Sequence, residues 1–316
     1  MNLAAPLILA AAAHPSGARG HHASEAASLF LRSHPVLAMF AGRWQAEATV
    51  LVPAALAALL YAAGWLRLRR AAGRNSVPAW RAALFALGLL ALLWALEGPL
   101  DDLGDASFAF HMIQHESLIL VAAPLLLLGL PAPVFAWALP RRWNRATLPW
   151  FSRRRMLRRL AEWLGRPAVA WAFFNAAFAL WHLPPLYNAA QGNDWVHYSE
   201  HITFLVAALV YWSRLVGLGP HARRLSAASA AGYAAANMPV GMLLGIWFLF
   251  SPRPVYAHYE AAENPFGWSV LMDQQLAGAI HLLVGTVYLA LVGVYLARWM
   301  VDLEEAESVS KPSASR

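Results

Sequence analysis

Long apolar runs, separated by short stretches rich in arginine, aspartate or proline, dominate the middle of the chain. A helix that crosses about 30 Å of hydrocarbon needs roughly 20 mostly apolar residues. The runs are too long and unbroken for the short alternating strands of a membrane barrel. The pattern therefore predicts an all-α, polytopic membrane helix bundle with seven transmembrane helices. The predicted spans are Ala48–Leu66, Trp80–Leu96, Phe108–Leu130, Pro167–Leu183, Val196–Leu215, Ala227–Phe250 and Gln274–Trp299.

Composition and charge support a membrane protein. Of the 316 residues, 59% are hydrophobic and 13% are charged, whereas soluble domains carry about 25% charged residues. Twenty of the 24 basic residues lie in or next to the odd-numbered connections, or in the C-terminal stretch that begins at Arg298. Basic loops stay in the cytoplasm, so the sequence predicts an outside N-terminus and a cytoplasmic C-terminus. The net charge of +7 then indicates contact with membrane lipid, and no nucleic-acid partner is expected.

The predicted organisation has three parts. Residues 1–44 form an extracytoplasmic segment, 45–300 the seven-helix transmembrane domain, and 301–316 a cytoplasmic tail. The first part includes the apolar run Leu3–Ala13, which is similar to the core of a signal peptide but has no positive charge before it. Both removal and retention of residues 1–13 stay open.

Absent residue types exclude several kinds of chemistry. The chain has no cysteine, so disulfides, thiolate metal ligands and cysteine nucleophiles are ruled out. Its single lysine, Lys311, lies in the predicted tail, away from any Schiff-base site among the helices. The sequence contains no P-loop, GxGxxG or HExxH motif. Because no catalytic set stands out, we do not expect an enzyme.

Histidines concentrate near the predicted outer ends of the spans. His111 and His115 lie four residues apart in the third span and so share a helix face. His197 and His201 repeat that spacing in the fifth span, and His182 ends the fourth. Ionisable groups inside a membrane are costly and tend to face one another. Since imidazole suits copper, zinc, iron and nickel, these five histidines are the candidate metal ligands.

Further candidates are ligands or groups that orient ligands: His281, Asp273, Gln274, Met112 and Glu200. Methionine sulfur favours Cu(I), and carboxylates commonly orient metal-binding histidines. The same residues could instead form a polar network that only holds the helices together, and that alternative stays open.

Several of these residues belong to longer motifs. The motifs are His111–His115 (HMIQH), Ala123–Pro131 (APLLLLGLP), Trp181–Tyr187 (WHLPPLY), His197–His201 (HYSEH) and Asp273–Gly278 (DQQLAG). In these motifs the chain resembles the CtaG membrane proteins of caa3-type cytochrome c oxidase assembly, over roughly Trp80 to Arg298. His281 is a departure, because family members tend to have an apolar residue or methionine at that place.

The resemblance implies a multi-pass protein of the bacterial plasma membrane that helps to make active haem-copper oxidase. Its implied partner is the catalytic subunit of that oxidase, and its implied cargo is copper. The residues carried over by the motifs are His111, His115, His182, His197, His201, Asp273 and Gln274.

Three functions follow as hypotheses. The leading one is a copper-handling assembly factor whose outer-leaflet imidazoles pass copper to the oxidase, with His14, His21 and His22 as a first capture point. The second is a haem-binding membrane redox protein, which the one-sided placement of the histidines disfavours. The third is a scaffold without metal that recognises oxidase subunits through its helices.

Overall fold

The computed structural model describes residues 33–41, 44–73, 76–129, 131–139, 155–217 and 225–310. Across these ranges the chain is helical and contains no strand, which confirms the all-α prediction. The proposed signal peptide, the N-terminal His14, His21 and His22, and residues 140–154 of the basic third connection lie outside the described residues.

Fourteen helices follow one another in the described ranges, and we number them in chain order. They are α1 (Pro35–Ala41), α2 (Ala48–Ala72), α3 (Ala79–Leu96), α4 (Pro99–Ala106), α5 (Phe108–Leu128), α6 (Pro131–Ala138), α7 (Arg155–Leu164), α8 (Pro167–Trp181), α9 (Pro184–Gln191), α10 (Asp194–Val216), α11 (Ala227–Ala235), α12 (Met238–Phe250), α13 (His258–Ala261) and α14 (Val270–Ser310). Within α5, the segment Ser117–Ala122 is a π-helix.

Five helical stretches of the described chain are long and apolar enough to cross a membrane. They are Ala48–Ala72, Ala79–Ala106, Phe108–Leu128, Ala227–Phe250 and Val270–Glu305. They correspond to the first, second, third, sixth and seventh predicted spans. The fourth predicted span is α8, which has 15 residues where about 20 are needed. The fifth is α10, which has 23 residues but carries Asp194, Glu200 and Arg214.

Local sequence fixes the ends of the helices that carry histidine. α8 starts with Pro167 at its first position, where the missing N–H costs nothing, and it ends at His182 before Pro184. The side chain of Asn193 accepts hydrogen bonds from the first backbone N–H groups of α10. Gly217, with a φ of 69°, ends α10 in the left-handed conformation. His197 and His201 therefore lie within the first eight residues of α10.

α5 is the most buried of the five apolar stretches, with 61% of its apolar window buried against 17–39% in the others. It packs against α3, α4, α10 and α14. Small residues allow the closest helix contacts, as is usual in membrane bundles. Where α12 crosses α14, a Cβ added at Gly278 would lie 2.7 Å from the carbonyl oxygen of Gly245. This crossing sets the position of α14 one turn before His281.

The π segment begins directly after Glu116. Trp212 of α10 donates its indole N–H to the carbonyl of Ile119, over 2.7 Å, and Ser117 donates its hydroxyl to the carbonyl of Ile113. These bonds occupy carbonyls whose pairing changes when the helix shifts to i→i+5 bonding. Short π segments occur often at functional sites, and this one follows two ionisable residues.

Candidate metal centre

Four of the predicted histidines converge between α5 and α10. The ring centroids of His111 and His115 lie 4.2 Å apart, and those of His197 and His201 lie 4.3 Å apart. The two pairs face each other, with 5.3 Å from His111 to His197 and 5.3 Å from His115 to His201. We call these four residues and Glu200 the outer cluster.

The carboxylate of Glu200 lies between the two histidines of α5. Its Oε2 is 3.9 Å from Nε2 of His111, and its Oε1 is 3.7 Å from Nε2 of His115. Glu200 and both histidines are completely buried. The separations are too long for hydrogen bonds. They match two donors that share one ion, since metal bonds to imidazole and carboxylate are each about 2.0–2.2 Å long.

The outer cluster concentrates buried polar atoms that lack hydrogen bonds. Within the described part of the chain, seven such atoms have no partner: Nε2 of His111, both ring nitrogens of His115, Nε2 of His197, Nε2 of His201 and both carboxylate oxygens of Glu200. Buried polar groups are nearly always paired, and each exception costs roughly 1–3 kcal/mol. So many in one place fit a cation as their common partner.

Two sets within the outer cluster have donor atoms close enough to hold one ion. They are His111–His197–His201 and His111–His115–Glu200, and in each set the donor atoms lie within 4.8 Å of one another. Both sets include His111, which makes it the central residue of the cluster.

Polar contacts from α4 and α9 hold His111 in place. Gln114, completely buried, donates to the carbonyl of Ala95 over 2.9 Å and to Asp101 over 2.6 Å, which ties α5 to α4. A Cβ on Gly104 would lie 3.4 Å from the Cα of His111, so glycine lets α4 lie directly over that residue. The amide of Gln191 is 3.4 Å from Nδ1 of His111.

Tyrosines from the connections cover the same end of the bundle. The Tyr187 ring lies 5.3 Å from that of His111 and stacks on Tyr256 at 3.8 Å. Its hydroxyl bonds to that of Tyr259 over 2.7 Å, and Tyr259 donates to the carbonyl of Gly104. Burial raises the pKa of Tyr259 well above its ordinary value, so this hydroxyl stays protonated and able to donate. Half-buried His197 is the most accessible residue of the outer cluster.

The fifth predicted ligand, His182, lies nearer to a second group of residues. Its ring centroid is 6.5 Å from that of His115 but 5.2 Å from that of His281. Its Nε2 is 3.3 Å from Nε2 of His281 and 3.4 Å from Sδ of Met112. Nδ1 of His281 in turn lies 3.3 Å from Oε1 of Glu116. We call Met112, His182 and His281 the inner site.

Asp273 and Gln274 occupy structural positions away from both sets of histidines. Asp273 accepts hydrogen bonds from the hydroxyl of Ser107 and from the backbone N–H groups of Phe108 and Ala109, at 2.7–3.1 Å. It therefore caps the start of α5 from a different helix. Gln274 accepts from the backbone of Val255 and donates to the carbonyls of Phe248 and Arg253.

Sequence reasoning missed two residues that the structure places beside the histidines. Glu116 contacts His281, and its signal in the sequence was a carboxylate inside a predicted span, which usually marks function. Gln191 contacts His111, but it lies in a connection and carries no signal in the sequence.

Comparison with known proteins places the chain in a family. The sequence model of the family described as "Cytochrome c oxidase caa3 assembly factor (Caa3_CtaG)" matches residues 59–302. The chain belongs to this family. The resemblance inferred from the sequence motifs is thus confirmed, and the matched region contains every residue of the outer cluster and of the inner site.

Three curated relatives of the chain come from mycobacteria. The chain is 28% identical over 253 residues to the uncharacterized protein Mb0105 of Mycobacterium bovis and, equally, to the uncharacterized protein MT0111 of Mycobacterium tuberculosis. It is 26% identical over 257 residues to the uncharacterized protein ML1998 of Mycobacterium leprae. These matches cover 78% of this chain but 37–38% of the relatives. No solved structure matches the chain.

Proposed function

We propose that this Caa3_CtaG protein handles copper during assembly of a haem-copper oxidase in the bacterial plasma membrane. Its outer cluster takes up copper and delivers it to the catalytic subunit of the oxidase, and the protein itself catalyses no reaction. The observation that carries the proposal is the buried carboxylate of Glu200 between His111 and His115, at 3.9 and 3.7 Å.

The donor set suits a carrier. Imidazole binds Cu, Zn, Fe and Ni, so selectivity comes from geometry, ligand type and supply. The cluster offers four imidazoles and one carboxylate, more donors than a single ion needs. An ion can therefore exchange one ligand for another without losing all of its protein ligands. Half-buried His197 provides the first contact for an ion arriving from outside.

The proposal includes the membrane topology. We infer seven spans, with α8 and α10 as the fourth and fifth, because α10 packs on α5 and α8 packs on α10. Arginine in the odd-numbered connections puts those connections in the cytoplasm. With the N-terminus outside and the C-terminus inside, the outer cluster lies in the outer half of the membrane.

Metal content is the direct test of the proposed function. The full chain, purified in detergent from copper-supplemented cells, should contain near-stoichiometric copper by mass spectrometry and show no Soret band. The double variant His111→Gln/His115→Gln should lose the copper of the outer cluster. A matched control is His34→Gln, because His34 is exposed and belongs to neither group of histidines; this variant should keep all the copper.

Other results would contradict the proposal in specific ways. A Soret band in the purified protein would favour the haem-binding redox protein. Absence of both metal and haem would favour the scaffold, in which the histidines serve only helix packing. Retention of all copper by the double variant would exclude the outer cluster as the binding site.

A further inference from the structure

His182 has a fixed tautomer. Its Nδ1 lies 2.7 Å from the carbonyl oxygen of Phe178, one helical turn earlier. A carbonyl can only accept a hydrogen bond, so Nδ1 carries the proton. The neutral ring then presents the lone pair of Nε2, and this atom points toward Met112 and His281.

Glu116 lies beside the other nitrogen of His281. Nδ1 of His281 is 3.3 Å from Oε1 of that carboxylate, which is ion-pair distance without hydrogen-bond alignment, and both residues are buried. A negative charge this close favours the proton on Nδ1 and leaves Nε2 as the metal ligand. The two Nε2 lone pairs then face each other across 3.3 Å. Two lone pairs at that distance repel unless a cation lies between them.

Met112 adds a third lone pair to the same place. Its Sδ is 3.4 Å from Nε2 of His182, and the side chain is completely buried. A thioether attracts a proton weakly, but it is a preferred ligand of Cu(I). For metal bonds of about 2.0 Å, three donors around one ion lie roughly 3.5 Å apart. The spacings of 3.3 and 3.4 Å are close to this value.

We propose that Met112, His182 and His281 form a second metal site, selective for Cu(I), with the carboxylate of Glu116 balancing the charge of the ion. One buried carboxylate beside a monovalent cation leaves the site neutral, which a low-dielectric interior requires. This inference rests on the proposed function, because the ion reaches the inner site from the outer cluster. The ring centroids of His115 in the outer cluster and His182 in the inner site lie 6.5 Å apart. This is a short distance for a copper ion to move between the two sites.

The inner site also borders a pocket through which the ion could leave. Glu116 and His281 line a small cavity of about 20 Å³ between α5, α8, α12 and α14. Met238 and Met242, four residues apart on α12, line the same cavity, and Met242 is exposed at the surface of the bundle. Two thioethers at the opening offer soft ligands for an ion on its way to a partner helix.

The test is anaerobic titration of the detergent-purified full chain with Cu(I), in competition with a coloured Cu(I) chelator, followed by X-ray absorption. Wild type should bind two Cu(I) ions and show a copper–sulfur shell at about 2.3 Å. The variant His111→Gln/His115→Gln should bind one ion and keep the sulfur shell. Met112→Leu should lose the sulfur shell, and its affinity for the second ion should fall at least about tenfold. Met300→Leu, at an exposed methionine of α14, is the matched control and should behave as wild type.

The outcomes separate the two proposals. If wild type binds copper without a sulfur shell, or Met112→Leu keeps the shell, the inner site is overturned and the proposed function stands. That result would mean that a shared proton, supplied by Glu116, joins His182 and His281. If wild type binds no copper at all, both proposals fail. The presence or absence of the sulfur shell is read from the wild-type spectrum alone. The inner site can therefore be tested even if the Met112→Leu protein does not fold.

Discussion

His115 and Glu116 are neighbours in the sequence but face two different groups of side chains. Nε2 of His115 lies 3.7 Å from Glu200 in the outer cluster, whereas Oε1 of Glu116 lies 3.3 Å from His281 beside the inner site. Consecutive residues of a helix point in different directions, and both of these are buried because α5 is surrounded by other helices. One turn of α5 thus connects the two groups.

The carboxylate of Glu200 is expected to contribute directly to copper affinity. Glu200→Gln keeps the size of the side chain but removes its charge and one acceptor oxygen. Loss of a group that ligates or orients a metal typically weakens binding 10–100-fold, so we expect copper affinity to fall by about that factor. Competition with a chelator measures it.

A control for this variant is Glu260→Gln, because Glu260 is an exposed residue of α13. The control should bind copper as wild type does. Equal copper affinities for Glu200→Gln and wild type would show that the carboxylate only fills space between the histidines.

Asp273 is expected to stabilise the fold without binding metal. It accepts three hydrogen bonds at the start of α5, and asparagine would turn an N–H group toward some of those donors. Asp273→Asn should therefore lower the free energy of unfolding by about 1–3 kcal/mol and leave copper stoichiometry unchanged. Thermal unfolding in detergent and metal analysis of the folded fraction would measure both.

The exposed carboxylate of Asp302, near the end of α14, provides a comparison. Asp302→Asn should leave the melting temperature unchanged. If Asp273→Asn lost copper while melting like wild type, Asp273 would belong to a metal site after all.

Sequence periodicity predicted part of the outer cluster. The i, i+4 spacing placed His111 with His115 and His197 with His201, because that spacing always shares a helix face. It could not show that the two faces meet, since α5 and α10 are brought together by packing between distant segments. Glu200 was recognised only as a candidate, and its place between two histidines became visible in three dimensions.

The inner site depends on contacts that no local pattern reveals. His182 and His281 are 99 residues apart in sequence, and packing of α14 against α5, α11 and α12 fixes the position of His281 along the bundle. Hydropathy predicted α8 and α10 as spans, but α8 is short and α10 carries charged residues. α10 carries His197, Glu200 and His201 of the outer cluster, and polar residues at a site weaken the apolar pattern.

The crossing of α12 and α14 is expected to tolerate no side chain. Gly278→Ala would place a Cβ 2.7 Å from backbone atoms of Gly245 and Leu249, which is closer than van der Waals contact allows. Overpacking of this kind costs about 1–3 kcal/mol, and we expect the melting temperature to fall and the affinity of the inner site to weaken.

Gly293 is a matched control on the same helix, because a Cβ there meets nothing within 4 Å. Gly293→Ala should be neutral or slightly stabilising, as alanine favours helix over glycine. Equal melting temperatures for the two variants would mean that α12 and α14 are farther apart in the membrane.

The orientation of the bundle decides which compartment supplies the metal, and the absence of cysteine makes it directly testable. Single cysteines can be introduced at Glu260, in the connection before α14, and at Ser76, in the connection before α3; both positions are exposed. The basic first connection is expected in the cytoplasm. In right-side-out membrane vesicles, an impermeant maleimide should therefore label Glu260→Cys at once and Ser76→Cys only after detergent is added. The opposite labelling would put the outer cluster on the cytoplasmic side, so copper would have to come from the cytoplasm and the route proposed here would be reversed.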